Sequence, residues 1–207
     1  MSLQDRWLIL GTTGSGKTTF AKQLISNLSV SYPEVPIYIL DSKHLGDFTE
    51  WYEGLVTSDN VPPPIDKGVQ VWQPATDNQD AYDAWFTQIL GTPGPAMTLV
   101  DEISSVGKGK GNDAPVGFQR LLKQGRSSGK MTINCSQEMA YVPRQIKTQT
   151  SHVVRFLLTG DFDPKAANRL MGRSNNDPEP HSQYGFYYMH VGKPLGLTEY
   201  HSYKDFF

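Results

Sequence analysis

Apolar and polar positions along the chain fall into two kinds of segment that follow one another. Short apolar runs, typical of buried strands, are separated by stretches with apolar residues at helical spacing. The predicted strands cover residues 6–10, 36–43, 70–72, 96–102, 131–137, 152–158 and 184–192. The predicted helices cover residues 18–28, 77–90, 118–126 and 163–172. Strands alternating with helices predict an α/β fold with a mainly parallel central sheet flanked by helices.

Two stretches lack either pattern. Residues 44–68 are predicted to be irregular and end in VPPPIDKG, a surface connection. Residues 107–113 read GKGKGND and contain no apolar residue. Such a segment cannot pack into a core, so it is predicted to be an exposed, mobile loop.

Composition narrows the class of protein without naming an activity. The 207 residues suffice for one α/β domain, and 38% are hydrophobic and 19% charged, as in ordinary globular proteins. A net charge of −2 means that any nucleic-acid contact must come from a local basic patch. No apolar run approaches the ~20 residues of a membrane span. The single cysteine, Cys135, lies in an apolar run and is predicted to be a buried thiol in a reducing, intracellular setting.

The glycine-rich stretch GTTGSGKTT follows the first predicted strand and precedes the first predicted helix. It contains G-x-x-x-x-G-K-[ST], the pattern of a loop whose backbone N–H groups hold nucleotide phosphates. Lys17 is predicted to reach the β- and γ-phosphates, and the Thr18 hydroxyl to bind Mg²⁺. The nucleotide-binding residues predicted here are Gly11, Thr12, Thr13, Gly14, Ser15, Gly16, Lys17, Thr18 and Thr19.

Two adjacent acids end the apolar stretch TLVDE at residues 98–102. A carboxylate at the end of a buried strand is costly without a cation, so Asp101 is predicted to share Mg²⁺ with Thr18. Strand alternation predicts that Glu102 points the other way and has a different role. It is predicted to orient and deprotonate a water molecule beside the γ-phosphate.

Gln137 ends the next predicted strand, and its amide could bind both a γ-phosphate oxygen and the attacking water. With the glycine loop, Asp41 and the acid pair, it brings polar groups to four strand ends. The carboxyl ends of parallel strands lie at one edge of a sheet, where ligands bind in such folds. The sequence therefore predicts one site at that edge.

A basic helix end precedes the strand of Gln137. The stretch QRLLKQGRSSGK at 119–130 carries Arg126, whose guanidinium could stabilise charge on a transferring phosphoryl group of a neighbouring subunit. A solvated basic face is the alternative interpretation of the same residues.

The order of these motifs resembles the FtsK/HerA superfamily of DNA-pumping P-loop ATPases, of the ASCE/RecA-like type. The resemblance rests on the glycine loop, ILDSK, LVDE, RLLKQGRSSGKM, NCSQ and VVRFLLTGDFDPKAANRLMG, and is most specific over residues 98–137. The small size and the LVDE strand look most like the genome-packaging ATPases of icosahedral viruses with an internal membrane. The expected organisation is a single domain over 1–207, with a core at about 5–192 and an aromatic-rich tail at 193–207.

The resemblance implies ATP and Mg²⁺ as ligands, a homo-oligomeric ring, expected to be a hexamer, and an arginine that acts between subunits. It also implies double-stranded DNA in the central channel. In such a ring the GKGKGND loop could face the channel, and Lys108 and Lys110 are predicted to contact DNA phosphates there; a solvated connector is the alternative interpretation of the loop. The tail at Phe206-Phe207 either packs on its own domain or docks on a neighbour or a capsid component. The expected locations are the cytoplasm of an infected host cell and the packaging vertex of the virion.

Two other functions remain open from the residues alone. One is a small-metabolite or nucleotide kinase, although residues 138–150 are sparse in the arginines that form the lid of such enzymes. The other is an assembly switch that hydrolyses nucleotide slowly. ATP consumption without an acceptor, and its rate with DNA, distinguish these from a motor.

Overall fold

The computed structural model describes residues 1–43, 47–107, 113–158, 162–180, 184–191, 199–202 and 206. The strands described are β1 (Arg6–Leu10), β2 (Ile37–Leu40), β3 (Leu55–Thr57), β4 (Val69–Gln73), β5 (Ala96–Val100), β6 (Lys130–Ser136), β7 (His152–Arg155), β8 (Phe186–His190) and β9 (Glu199–His201). The helices are α1 (Lys17–Ser31), α2 (Gln79–Gly91), α3 (Ile103–Val106), α4 (Val116–Gln124), α5 (Arg144–Gln149) and α6 (Phe162–Leu170). Within these ranges, no helix has the length and apolar character needed to cross a membrane.

The described strands form one sheet in the order β3-β4-β2-β5-β6-β1-β7-β8-β9. Every pair from β3 to β7 is parallel, whereas β8 and β9 are added antiparallel at one side. β6 lies between β1 and β5, so the strand that ends before Gln137 separates the strand of the glycine loop from that of the acid pair. The predicted α/β fold class is confirmed.

Each face of the sheet has its own apolar core because successive side chains of a strand point to opposite faces. In β1, Leu8 and Leu10 pack with α2, α4 and the shorter helices, whereas Trp7 and Ile9 pack with α1. Strands covered on both faces are apolar throughout rather than alternating. All five residues of β1 and all seven of β6 are buried, although β6 alternates apolar side chains with four buried polar ones, those of Lys130, Thr132, Asn134 and Ser136. Cys135 belongs to this buried set, as predicted, and burial raises the pKa of its thiol.

Several boundaries differ from the prediction. The stretch predicted to be irregular contains a 3-10 helix at Thr49–Gly54 and the three-residue edge strand β3. The strand predicted over 152–158 ends at Arg155. Beyond it, the Leu157 carbonyl accepts a hydrogen bond from the Thr12 N–H at 2.9 Å, so this part of the chain supports the glycine loop rather than the sheet.

The described part of the aromatic tail packs on its own domain. β9 pairs with β8, and the ring of Phe206 lies 5.2–5.4 Å from the rings of Phe20, Phe186, Tyr188 and His201. Phe207 lies outside the described residues. The interpretation that the tail packs on its own domain therefore holds for Phe206, whose ring packs against the apolar core beneath α1.

Candidate active site

The glycine loop joins β1 to α1 and is held on both sides by backbone hydrogen bonds. The Gly11 N–H donates to the Ser136 carbonyl at 3.2 Å, which fixes the start of the loop to the end of β6. A Cβ atom at Gly11 would lie 2.4 Å from Ser15 Oγ and 2.7 Å from Phe156 Cβ. Gly16 has φ 103°, a left-handed conformation that glycine adopts without strain, and it begins α1. The two glycines therefore allow the compact turn that aims backbone N–H groups at an anion.

Two polar side chains of the loop, those of Ser15 and Lys17, are buried. The Lys17 ammonium donates to the Thr12 carbonyl at 2.8 Å, folded back on the loop itself. Burial is the main cause that lowers the pKa of Lys17. The Ser15 hydroxyl is buried and has no hydrogen-bond partner among the residues that the structure describes. A buried hydroxyl without a partner is unfavourable, so a bound anion would satisfy groups that the loop alone leaves unsatisfied.

The acid pair lies beside the first turn of α1, and both of its carboxylates meet one cation. Asp101 Oδ1 accepts a hydrogen bond from Thr18 Oγ1 at 3.1 Å. The Lys43 ammonium lies 3.1 Å from Asp101 Oδ2 and 3.3 Å from Glu102 Oε2. The prediction that the two acids point in opposite directions is wrong. β5 ends at Val100 and Glu102 starts α3, so strand alternation does not extend to it.

Charge and burial oppose each other at this pair. Burial raises the pKa of Asp101, which is fully buried, and Lys43 and the Thr18 hydroxyl act against that rise. Burial also acts to lower the pKa of Lys43, but the attraction of Asp101 and Glu102 outweighs it and the pKa is raised. Lys43 is therefore charged and compensates two carboxylates that have little access to water.

Glu102 is positioned by hydroxyl groups as well as by charge. Its Oε1 atom accepts hydrogen bonds from Ser104 Oγ at 2.7 Å and from Ser136 Oγ at 3.4 Å. These contacts fix the carboxylate near the ends of β5 and β6. A fixed, ionised carboxylate at that place can orient a water molecule and accept its proton.

Gln137 lies directly against the glycine loop. Its Oε1 atom accepts a hydrogen bond from Thr13 Oγ1 at 2.9 Å, across 124 positions of sequence. The structure thus places Gln137, Lys17, Thr18, Asp101 and Glu102 at one edge of the sheet, where the sequence predicted a single site. Asp41 lies there too and accepts from Gln73 Nε2 at 2.7 Å. The catalytic and binding roles of these residues stay predictions.

A cavity of about 420 Å³ opens over the loop. Its walls are Thr13, Gly14, Gly16, Lys17, Thr18, Thr19, Lys43, Asp47, Gln137 and Tyr184. Tyr184 is 52% exposed although it is aromatic, and its Cδ1 lies 3.2 Å from where a Cβ of Gly16 would be. An exposed aromatic ring at the mouth of a phosphate-binding loop is suited to stack on a planar base.

Lys43 and Tyr184 are site residues that the sequence interpretation missed. Lys43 belongs to ILDSK, but its role depends on β2 lying beside β5, and sequence does not give strand order. Tyr184 was predicted to be in the strand that is now β8, whereas it precedes that strand and lies against the glycine loop.

Arg126 lies away from this edge. It is exposed between α4 and β6, at the amino end of β6, and β6 spans roughly 20 Å at about 3.3 Å per residue. Burial lowers the pKa of Arg6 at the start of β1 to about 10, and the charge of Arg126 adds to that effect. Arg126 is therefore next to Arg6 and cannot reach the site of its own subunit. Lys108 and Lys110 lie outside the described residues.

Part of the chain matches a known family. Residues 2–89 match the family model of the type IV secretion-system coupling protein DNA-binding domain. An uncharacterized protein of Aquifex aeolicus (strain VF5) is 59% identical over 39 residues, which are 19% of this chain and 14% of that protein. The chain thus spans only a small part of that relative.

Solved structures match almost the whole chain. The genome packaging NTPase B204 from Sulfolobus turreted icosahedral virus 2, in complex with AMPPCP, has a TM-score of 0.73 at 15% identity and covers 98% of this chain and 99% of that one. The pCW3 conjugation coupling protein TcpA, with ATPgS, has a TM-score of 0.66 at 16% identity and covers 92% of this chain and 59% of that one. At such identities the likeness is one of fold. The predicted resemblance to FtsK/HerA-type ATPases is confirmed in that sense, since this chain has the P-loop fold of a viral packaging NTPase and of a conjugation coupling protein.

Proposed function

We propose that this chain is an ATP-hydrolysing motor that moves double-stranded DNA, of the kind that packages a viral genome into a preformed capsid. One observation carries the proposal. A phosphate-binding loop, an acid pair and a strand-end glutamine meet at one sheet edge, through the Thr18–Asp101 and Thr13–Gln137 hydrogen bonds. This arrangement suits a nucleoside triphosphate together with a water molecule held between Glu102 and Gln137.

Nucleotide binding follows from the loop and its surroundings. The N–H groups of the loop and the start of α1 attract phosphates, and Lys17 exchanges its contact with the Thr12 carbonyl for phosphate oxygens. B204 was solved in complex with ATP-gammaS and with AMP, which supports the same use of the loop here.

The residues present fit a Mg²⁺ ion. This ion prefers oxygen ligands, and proteins bind it through one or two carboxylates together with phosphates. The Thr18 hydroxyl and Asp101 carboxylate are adjacent oxygens beside the loop and would hold it. When bound, it neutralises charge on the β- and γ-phosphates. Glu102 then accepts a proton from water, and Gln137 orients that water and contacts the γ-phosphate.

DNA handling is supported by the family match and by the position of one segment. Residues 2–89 match a coupling-protein DNA-binding family, and the full-length fold match is to a genome packaging NTPase. α3 starts at the acid pair and leads into the segment with Lys108 and Lys110. We propose that these lysines contact DNA phosphates in the channel of a hexameric ring, and that Arg126 completes the site of the next subunit. Capsid or packaging-vertex proteins are the further partners proposed, in the infected host cell or at the virion vertex.

ATP turnover of the purified protein, with and without double-stranded DNA, tests the enzymatic part. We expect inorganic phosphate to be released without any small-molecule acceptor and faster with DNA, together with a solution mass of six chains. Phosphoryl transfer to a metabolite, with no release of phosphate, would identify a kinase instead. Binding without turnover, with or without DNA, would identify an assembly switch.

Replacing Tyr184 by Ala is expected to weaken ADP binding by about 5- to 100-fold, since a base–aromatic stack contributes roughly 1–3 kcal/mol. Binding of inorganic tripolyphosphate, which has no base, should not change. Tyr184→Phe retains the ring and is the matched control. Calorimetric titration of all three proteins gives the answer, and equal losses for ADP and tripolyphosphate would show that Tyr184 only supports the loop.

Replacing Lys108 and Lys110 by Ala together is expected to weaken DNA binding and leave the basal ATPase rate intact. The logarithm of the DNA association constant falls as the logarithm of the salt concentration rises, and each lost phosphate contact should make this slope shallower by about one. The double variant Lys123→Ala with Lys165→Ala removes the same charge from exposed positions elsewhere and is the control. If the loop variant binds DNA with wild-type affinity and salt slope, the motor holds DNA at another surface.

A further inference from the structure

Lys43 is placed between the two acids of the candidate site. Its ammonium contacts Asp101 at 3.1 Å and Glu102 at 3.3 Å, and the three side chains are 18%, 0% and 11% exposed. One positive charge thus compensates two carboxylates that have almost no access to water. Asp101 Oδ1 already accepts from Thr18, so the ammonium lies at the carboxylate that would also hold Mg²⁺.

The backbone around Lys43 is fixed from two sides. Its N–H donates to Asp41 Oδ1 at 3.3 Å, and Asp41 Oδ2 accepts from Gln73 Nε2 at the end of β4. Ser42 Oγ accepts from Ser105 Oγ on α3 at 2.7 Å. The side chain itself is a flexible four-carbon stem, so the ammonium can leave Asp101 while its backbone stays in place.

A Mg²⁺ ion at Asp101 Oδ1, beside Thr18, would lie close to the ammonium at Oδ2 of the same carboxylate. Two cations at one carboxylate repel each other, and a buried carboxylate binds the divalent ion more strongly at equal distance. Conversely, removing the ammonium while no metal ion is bound leaves Asp101 and Glu102 as uncompensated buried charges, which is strongly destabilising.

We propose that Lys43 is the counter-ion of the acid pair before nucleotide binds and that it leaves Asp101 when a nucleotide brings Mg²⁺ to that carboxylate. Lys43 is thus a positioning residue that sets how strongly the metal contributes to nucleotide binding. The inference rests on the proposed function, because it assumes that Asp101 holds the Mg²⁺ of a bound nucleotide.

The first test needs neither nucleotide nor metal. In EDTA, Lys43→Met should melt about 5–10 °C below the wild type, because a buried pair has lost one partner. The double variant Lys43→Met with Asp101→Asn should recover at least half of that loss. If the single variant does not fold, the double variant should fold. Lys123→Met, an exposed lysine, is the control. A single variant that melts with the wild type, or a double variant no more stable than the single one, overturns the inference.

The second test measures ADP affinity by calorimetry with Mg²⁺ and with EDTA. The dissociation constant of ADP in EDTA divided by that in Mg²⁺ should be about ten-fold larger in Lys43→Met than in the wild type, because the metal no longer competes with the ammonium. Lys130→Met should leave the ratio unchanged, since Lys130 is buried at the opposite sheet edge with Thr92. Equal weakening with and without Mg²⁺ would make Lys43 a phosphate ligand and overturn the inference. If the wild type does not bind ADP at all, the proposed function fails instead.

Discussion

Replacing Glu102 by Gln is expected to reduce ATP turnover by about 10²-fold or more while ATP binding persists. The amide oxygen can still accept the hydrogen bond from Ser104, but the ion pair with Lys43 is lost and the side chain cannot take a proton from water. Lys17, Thr18 and Asp101 remain to hold the nucleotide. Phosphate release and ATP titration, measured on the same protein, separate the two effects.

Glu138→Gln is the matched control for this change. Glu138 is an exposed carboxylate at the same sheet edge, one residue beyond Gln137, and its side chain makes none of the described contacts of the site. It should hydrolyse ATP at the wild-type rate. A Glu102→Gln protein that does the same would remove Glu102 from the role of base, and a variant that fails to bind ATP would make Glu102 a binding residue.

Replacing Arg126 by Ala is expected to lower turnover by about 10³- to 10⁵-fold with little change in ATP affinity, as for other arginines that act from a neighbouring subunit. Arg126 lies far from the candidate site of its own subunit. It is exposed at the amino end of β6, on the side of the sheet away from Gln137, so a direct contact with a nucleotide would have to be with that of another subunit. Arg120→Ala changes an exposed arginine on α4 and should leave turnover intact.

Mixing the two inactive variants tests action between subunits directly. In a mixed ring, an Arg126→Ala subunit can supply an intact Glu102 site, and its Glu102→Gln neighbour can supply Arg126. We expect the mixture to recover part of the wild-type turnover. If mixed rings form, as shown by native mass spectrometry, and no activity returns, Arg126 does not act in trans.

The sequence predicted those parts of the candidate site that consist of residues close together along the chain. The glycine loop lies between a strand and a helix in both prediction and structure, and parallel strands necessarily bring Asp101 and Gln137 to the loop's edge. The predicted orientation of Glu102 was wrong because β5 ends at Val100, where the apolar run ends, whereas the prediction continued the strand through both acids to residue 102. Element boundaries depend on tertiary contacts that a single sequence does not contain.

Other features depend on strand order and could not be predicted. Lys43 meets the acid pair only because β2 lies beside β5, and Tyr184 reaches Gly16 only because the chain returns to the loop before β8. The edge strand β3 has three residues, too few for a periodic pattern to appear. These features arise from long-range packing, whereas the loop and the acid pair are encoded in contiguous residues.

A triplex-displacement assay measures whether ATP hydrolysis by this protein moves it along DNA. A duplex carries a short third strand in its path, and release of that strand reports passage of the motor. We predict that the wild type releases the third strand in the presence of ATP and Mg²⁺, and that the Glu102→Gln variant, which binds ATP, does not. ATP hydrolysis stimulated by the duplex without release of the third strand would contradict the account.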